Sequence, residues 1–219
     1  LLGPIYAITD PQLLPGERLF EAAAQALAAG VKTIQLRNKN AADAQLMDEA
    51  MRLVALCEEH GARCIINDRP DIALKCGAHG VHLGQGDGSV ASARRLLGPE
   101  AIIGVSCHSD IELARRARDQ GASYVAFGRF FSSNTKPMAG AANIDVLRQA
   151  RADIALPIVA IGGVRADNMA PLLAAGAQTL AVCHSLFGSE DVTAAAAALL
   201  AAYQQSRGTT PPEPRTQSN

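Results

Sequence analysis

Side chains able to do chemistry occur in short runs, each at the end of an apolar stretch. The first is Gln35-Leu36-Arg37-Asn38-Lys39. In an extended segment successive side chains alternate, so Gln35 and Arg37 share one side and Lys39 lies just beyond. An amide and two cations at one rim suit a polyanionic ligand, although solvated surface cations are a commoner use of such residues. Two further runs, Asn67-Asp68 and Gln85-Gly86-Asp87, supply acids. Unpaired carboxylates about 4 Å apart repel by roughly 4 kcal/mol at an effective dielectric of 20. A bound cation removes that repulsion. Mg2+ fits best, because it takes oxygen ligands and is held by one or two carboxylates together with substrate phosphates. The blander alternatives are that Asp68 pairs with Arg69 or Arg37 and that Asp87 caps a helix opening near Ser89.

Gly104-Val105-Ser106-Cys107-His108 contains a serine, but not on a G-x-S-x-G elbow, and Ser106 and His108 are too close in sequence to imply a usable triad. Ser106 reads as a hydrogen-bonding group toward a ligand, with helix capping by Ser106 and Ser109 as the alternative. His108 reads equally well as a structural hydrogen-bonding group. The run from Gly128 to Lys136 carries hydroxyls, an amide, two cations, and Phe130 and Phe131, a composition able to close over a phosphate. Gly162-Gly163 permits close backbone approach, and Cys183-His184-Ser185 ends the last apolar stretch.

The elements that must position these runs follow from hydrophobic periodicity. Short β-rich segments alternate with helical patterns: 4–9 then 17–29, 32–37 then 43–60, 63–67, 79–83, 101–106, 123–128, 157–161 and 179–183, the last followed by a helix over 192–205. Gly30, Gly61, Gly77, Gly121 and Gly176 each stand where a helix must stop before the next strand. Eight such units predict an α/β protein, a single (β/α)8 TIM barrel with a parallel eight-stranded core over residues 1–205. An open doubly wound sheet is disfavoured because no G-x-G-x-x-G follows the first strand. In a barrel, loops at the carboxyl ends of the strands form the active face, and those after the seventh and eighth strands form the recurrent phosphate site. The tail, 206–219, is rich in Pro and Thr and is expected to be disordered.

Composition narrows the function. The 219 residues carry 20 Lys+Arg against 21 Asp+Glu, a net charge of -1, which offers no basic excess for nucleic acid. No apolar run is long enough to cross a bilayer, and the N-terminus, Leu1-Leu2-Gly3-Pro4, has no secretory pattern. The five cysteines form no C-x-x-C pair, so neither a zinc site nor a disulfide framework is indicated and a reducing cytoplasm is expected. The expected partners are small molecules, with neither nucleic acid nor membrane; the sequence leaves open whether the chain forms a homo-oligomer.

The motifs Tyr6-Ala7-Ile8-Thr9-Asp10, Gln35-Leu36-Arg37-Asn38-Lys39, Ile66-Asn67-Asp68, Gly80 to Asp87, Gly104-Val105-Ser106, Thr135-Lys136 and Ala160-Ile161-Gly162-Gly163 together resemble those of the thiamine phosphate synthase family, from Ile5 to Phe187. The resemblance implies a transferase of thiamine biosynthesis. Such an enzyme joins 4-amino-2-methyl-5-hydroxymethylpyrimidine diphosphate to a hydroxyethylthiazole phosphate and releases diphosphate, with Mg2+ present. It implies that Gln35, Arg37, Lys39, Asn67, Ser106 and Lys136 contact the pyrimidine diphosphate, with Arg37, Lys39, Ser106 and Lys136 as the catalytic set. Asp68 and Asp87 would hold Mg2+, and Ser133, Thr135, Gly163, Cys183 and His184 the thiazole phosphate. The chain departs from the family pattern at Arg129 and Ser132, where proline is frequent, at Ser133 for threonine, at His184 for serine, and at Arg69, where a second acid is common. A thiazole tautomerase-like relative is the nearest alternative, but those proteins typically lack the second acid and the Thr-Lys pair. A non-catalytic phosphate-ligand sensor is the alternative of a different class.

Overall fold

The computed structural model describes residues 1–131 and 142–208. Eight parallel strands close into a barrel in the order of the chain, and each pairs with its sequence neighbours. They are β1 (Ile5–Ile8), β2 (Thr33–Leu36), β3 (Arg63–Asn67), β4 (Gly80–Leu83), β5 (Ile102–His108), β6 (Tyr124–Gly128), β7 (Ile158–Ile161) and β8 (Thr179–Val182). The helices are α1 (Arg18–Ala28), α2 (Asp43–Glu59), α3 (Pro70–Cys76), α4 (Val90–Leu97), α5 (Ile111–Asp119), α6 (Asp145–Asp153), α7 (Ala170–Ala174), α8 (His184–Phe187) and α9 (Val192–Gly208).

The strands are buried on both faces, as a parallel sheet covered by crossover helices requires. Alternation then sorts each strand into two phases. Ile34, Leu36, Val81, Leu83, Val105 and Cys107 belong to the layer between barrel and helices. Tyr6, Ile65, Tyr124, Val159 and Ala181 belong to the interior of the barrel. Helical spacing supplies the other half of the outer layer, for instance Leu46, Ala50, Leu53, Val54 and Cys57 on α2. The five glycines expected to stop helices all follow one, and all have positive φ. Gly77 is the C-cap of α3 in the left-handed region, a conformation costly to any residue with a Cβ.

Three details differ from the sequence reading. β5 continues through Cys107 and His108, with its register against β6 shifting between Ser106 and His108, so neither Ser106 nor Ser109 caps a helix. Asp110 does so instead, accepting a hydrogen bond from the Glu112 N–H at 2.8 Å. The short α8 was not anticipated, because four residues carry no periodic signal. The last helix runs on through Ser206–Gly208, residues assigned from sequence to the tail; the remainder of the tail, 209–219, lies outside the described residues. Among the described residues no helix is long and apolar enough to cross a membrane.

Close strand approach imposes one strict requirement. A Cβ on Gly80 would sit 1.8 Å from the backbone oxygen of Ile102, its partner across the β4–β5 pair. Backbone cannot yield as a flexible side chain can, so Gly80→Ala is expected to cost about 3 kcal/mol, the upper end for overpacking, measured as a lowered urea midpoint.

Candidate active site

Because the inward phase continues to the ends of the strands, Gln35, Asn67, His82 and Ser106 all face the top of the barrel interior and line one cavity of about 770 Å³. Of the residues the sequence singled out, the cavity brings together Gln35, Arg37, Lys39, Asn67, Asp68, Asp87, Ser106, Gly163, Cys183 and His184. Ser133, Thr135 and Lys136 lie outside the described residues, as does Ser132. Tyr6 and His82 also line the cavity, and the sequence reading gave neither a role. Both stood in quoted motifs, and the signal available was a polar group at an inward strand position.

The acids sit at the β3 and β4 ends. Asp68 has φ 63°, in the left-handed region, and its N–H donates to the His82 carbonyl at 2.8 Å. Asp87 is anchored separately, its Oδ2 accepting from the Gly84 N–H at 3.0 Å. A Cβ on Gly84 would lie 2.5 Å from that same oxygen. Neither bland alternative holds: Asp68 pairs with Lys39, Nζ to Oδ2 2.7 Å, and Ser89 rather than Asp87 caps α4. Arg69 turns away to Asp43 and Asp71, both at 2.7 Å, so the missing second acid leaves Asp68 undisturbed.

The two carboxyl groups are within hydrogen-bond reach of each other, and their titrations are driven apart. Burial opposes the charge on Asp68, but hydrogen bonds from Lys39, Asp87 and Asn67 and the Lys39 charge outweigh it and hold Asp68 below the usual carboxylate range. Asp87 moves up, through desolvation and then the hydrogen bond to Asp68 and its negative charge. Among the described residues no group of three or more His, Cys, Asp or Glu side chains is placed to hold a metal. Among the described residues the pair Asp68 and Asp87 suits an ion that draws its other ligands from water and phosphate.

Across the cavity Gly162 and Gly163 form a turn with φ 102° and 65°. A Cβ on Gly162 would fall 2.1 Å from that of Arg129, so this turn is open only to glycine. Burial pushes the Cys183 thiol up to about 12, with Asp10 adding to the shift, so it is a neutral lining group rather than a thiolate nucleophile. Burial also pushes His82 down to about 4, leaving the imidazole neutral at ordinary pH.

Residues 5–186 match the family model described as thiamine monophosphate synthase. The chain belongs to the thiamine monophosphate synthase family. Within it, the chain is 51% identical over 197 residues to a thiamine-phosphate synthase of Saccharophagus degradans, covering 90% of this chain and 91% of that protein. It is 48% identical over 209 residues to one of Alcanivorax borkumensis, covering 94% and 96%. Among solved structures, a thiamine phosphate pyrophosphorylase from Pyrococcus furiosus superposes with a TM-score of 0.83 at 32% identity, covering 93% of this chain and 96% of that one. A 3-hexulose-6-phosphate synthase, at 19% identity and a TM-score of 0.66, shares the fold alone.

The acid pair yields a prediction for the ligand-free protein. In Asp87→Asn the amide oxygen still accepts from Gly84 and the amide N–H donates to Asp68, while the repulsion disappears. Because the native pKa of Asp87 is raised, the wild type loses stability as pH rises through it. The variant should therefore melt higher than wild type at neutral pH without divalent cations, and the difference should shrink on acidification as Asp87 takes its proton. Thermal melts across pH measure this.

Proposed function

We propose that this chain is a thiamine phosphate synthase, joining a hydroxymethylpyrimidine diphosphate to a thiazole phosphate and releasing diphosphate. The supporting observation is that one cavity gathers ten residues which, in the family pattern, divide between the two substrates and the metal. Relatives named for this activity cover nearly the whole chain at about half identity. The five cysteines are free, in keeping with a reducing cytoplasm.

Asp68 and Asp87 would hold Mg2+, and their mutual influence supports the assignment: a bound cation would offset the desolvation and the Asp68 charge that raise Asp87. When bound, the ion supplies positive charge for the diphosphate as it leaves. Lys39 neutralises Asp68, and this side chain, half exposed, would be able to turn to a phosphate oxygen of the substrate. Arg37 is held by its backbone, the N–H donating to Thr9 Oγ1 at 2.9 Å, while its guanidinium makes no ion pair among the described residues. It is thus available for charge developing on departing diphosphate. By family resemblance Lys136 joins them.

The Gly162-Gly163 turn and the Cys183–His184 step would receive the thiazole phosphate through backbone N–H groups. Anchored there, the thiazole nitrogen needs no protein nucleophile; the carbon–oxygen bond breaks first, the pair leaving with diphosphate, and the nitrogen then captures the pyrimidine methylene cation. Charge is stabilised mainly on the leaving group, so the substitution is dissociative, and electron-withdrawing substituents on the pyrimidine should slow it.

The deciding experiment is a diphosphate-release assay. Release is expected only with both substrates and Mg2+; tight binding of both without release would instead support a sensor. Asp87→Ala should fold normally and lose Mg2+-dependent turnover by about 100-fold or more, the scale of losing roughly 3 kcal/mol of transition-state stabilisation. Lys136→Ala should lower single-turnover rate more than it weakens thiazole phosphate binding, as read by rapid-quench kinetics against calorimetry.

A further inference from the structure

Along the cavity floor a line of hydrogen-bonded side chains crosses the barrel. Gln35 Nε2 on β2 donates to the Tyr6 hydroxyl on β1 at 2.6 Å. Tyr6 and Tyr124, on β6, share a bond of 2.9 Å between their hydroxyls. Tyr124 Oη meets His82 Nδ1 on β4 at 2.8 Å, and His82 Nε2 meets Ser106 Oγ on β5 at 2.8 Å. Tyr6 and Tyr124 are 1% and 0% exposed, so water does not complete their bonding. The rings are locked as well: Tyr6 and Tyr124 meet edge to face at 79°, and His82 stacks on Tyr124 at 28°. Gly104 makes the room, since a Cβ there would lie 1.9 Å from Tyr124 Cζ.

Counting protons gives the line a direction. The Gln35 amide supplies the first hydrogen, so the Tyr6 proton must serve the bond to Tyr124, and the Tyr124 proton the bond to His82 Nδ1. A neutral imidazole that accepts at Nδ1 carries its proton on Nε2 and donates it to Ser106 Oγ. The Ser106 hydrogen is then left to point into the cavity, while Gln35 presents its carbonyl oxygen there. Turning the Gln35 amide over would reverse every bond and exchange the two ends, giving an N–H at Gln35 and an acceptor at Ser106. The cations favour the first direction, because Arg37 lies on the same side of β2 as Gln35 and attracts the carbonyl oxygen.

We propose that this relay couples Gln35 to Ser106 and fixes the donor–acceptor polarity of the cavity, with Tyr124 as the positioning residue at its centre. A ligand edge that donates at Gln35 and accepts at Ser106 is matched by both ends at once. An edge of opposite polarity is refused by both, so the two contacts discriminate as a unit. The proposal does not depend on which reaction the site performs, since the order of the protons exists in the empty protein.

The test is nitrogen-15 NMR of the His82 imidazole in the ligand-free protein, assigned by its loss in His82→Gln. Wild type should show the proton on Nε2; a proton on Nδ1 overturns the direction. Gln35→Glu, at mildly alkaline pH, replaces the donor by a carboxylate that only accepts. It should move the His82 proton to Nδ1, two strands away on β4. A proton that stays on Nε2 overturns the coupling. Should Gln35→Glu not fold, a double-mutant cycle in the diphosphate-release assay decides. Gln35→Met and Ser106→Ala should be non-additive in KM for the pyrimidine substrate by about tenfold, and additive in a Tyr124→Phe background. Additivity in the wild-type background overturns the coupling, whereas failure to release diphosphate at all bears on the proposed reaction and leaves the NMR result standing.

Discussion

Two carboxylates that repel each other are the constraint around which the rim is arranged. Left to itself, such a pair separates into solvent. Here Asp68 is fixed through its own N–H on the His82 carbonyl, and Asp87 through its side chain on the Gly84 N–H. Both anchors lie on β4 or directly after it, so neither acid can relax without disturbing a backbone that the barrel closes. Lys39 offsets part of the repulsion, but a half-exposed ammonium contributes little to stability. The fold thus sustains an unfavourable contact that a bound divalent cation would turn into a favourable one, the usual signature of a site kept for function rather than stability.

Closure of the barrel makes this possible by fixing which side chains face inward. A barrel of this class is ordinarily filled by branched apolar side chains in layers. This one has them in Ile65, Ile102 and Val159, but Tyr6, Gln35, His82 and Tyr124 share the same interior. Polar groups this deep are tolerable only when bonded, and each has a partner at 2.6 to 2.9 Å. Such a layer is stiffer than an apolar one, because moving any member leaves a buried donor or acceptor unmet. Rigidity is therefore built in directly below the groups that must meet a ligand.

The strand phase was legible in the sequence because it rests on a period of two and on length: Gln35 and Arg37 alternate with Leu36, and eight similar units admit few other closures. The rim residues followed from it, and all ten that fall among the described residues reached one cavity. Pairings across the barrel were not legible. Nothing in local spacing tells that Tyr6 will meet Tyr124, 118 residues away, or that Lys39 rather than Arg69 will take Asp68. The extension of β5 past Ser106 was missed for a related reason: a register shift against β6 depends on the neighbouring strand, and a serine before a polar loop reads equally well as a cap.

The distribution of charge around the cavity also argues for how binding energy is used. Arg37, Lys39 and the acid pair lie at the ends of β2, β3 and β4, whereas the opposite side presents the Gly162-Gly163 turn and a Cys183 thiol held neutral by burial. There Arg165 is engaged by Asp167 at 2.9 Å. Under the proposed reaction the two phosphoryl groups have different fates. Diphosphate gains charge as its bond to carbon breaks, and mobile cations placed near it act most strongly in the transition state. The thiazole phosphate is unchanged throughout, so a stronger grip on it would stabilise ground and transition states alike and bring no increase in turnover. Arg37 and Lys39, placed where charge develops, are what that difference demands.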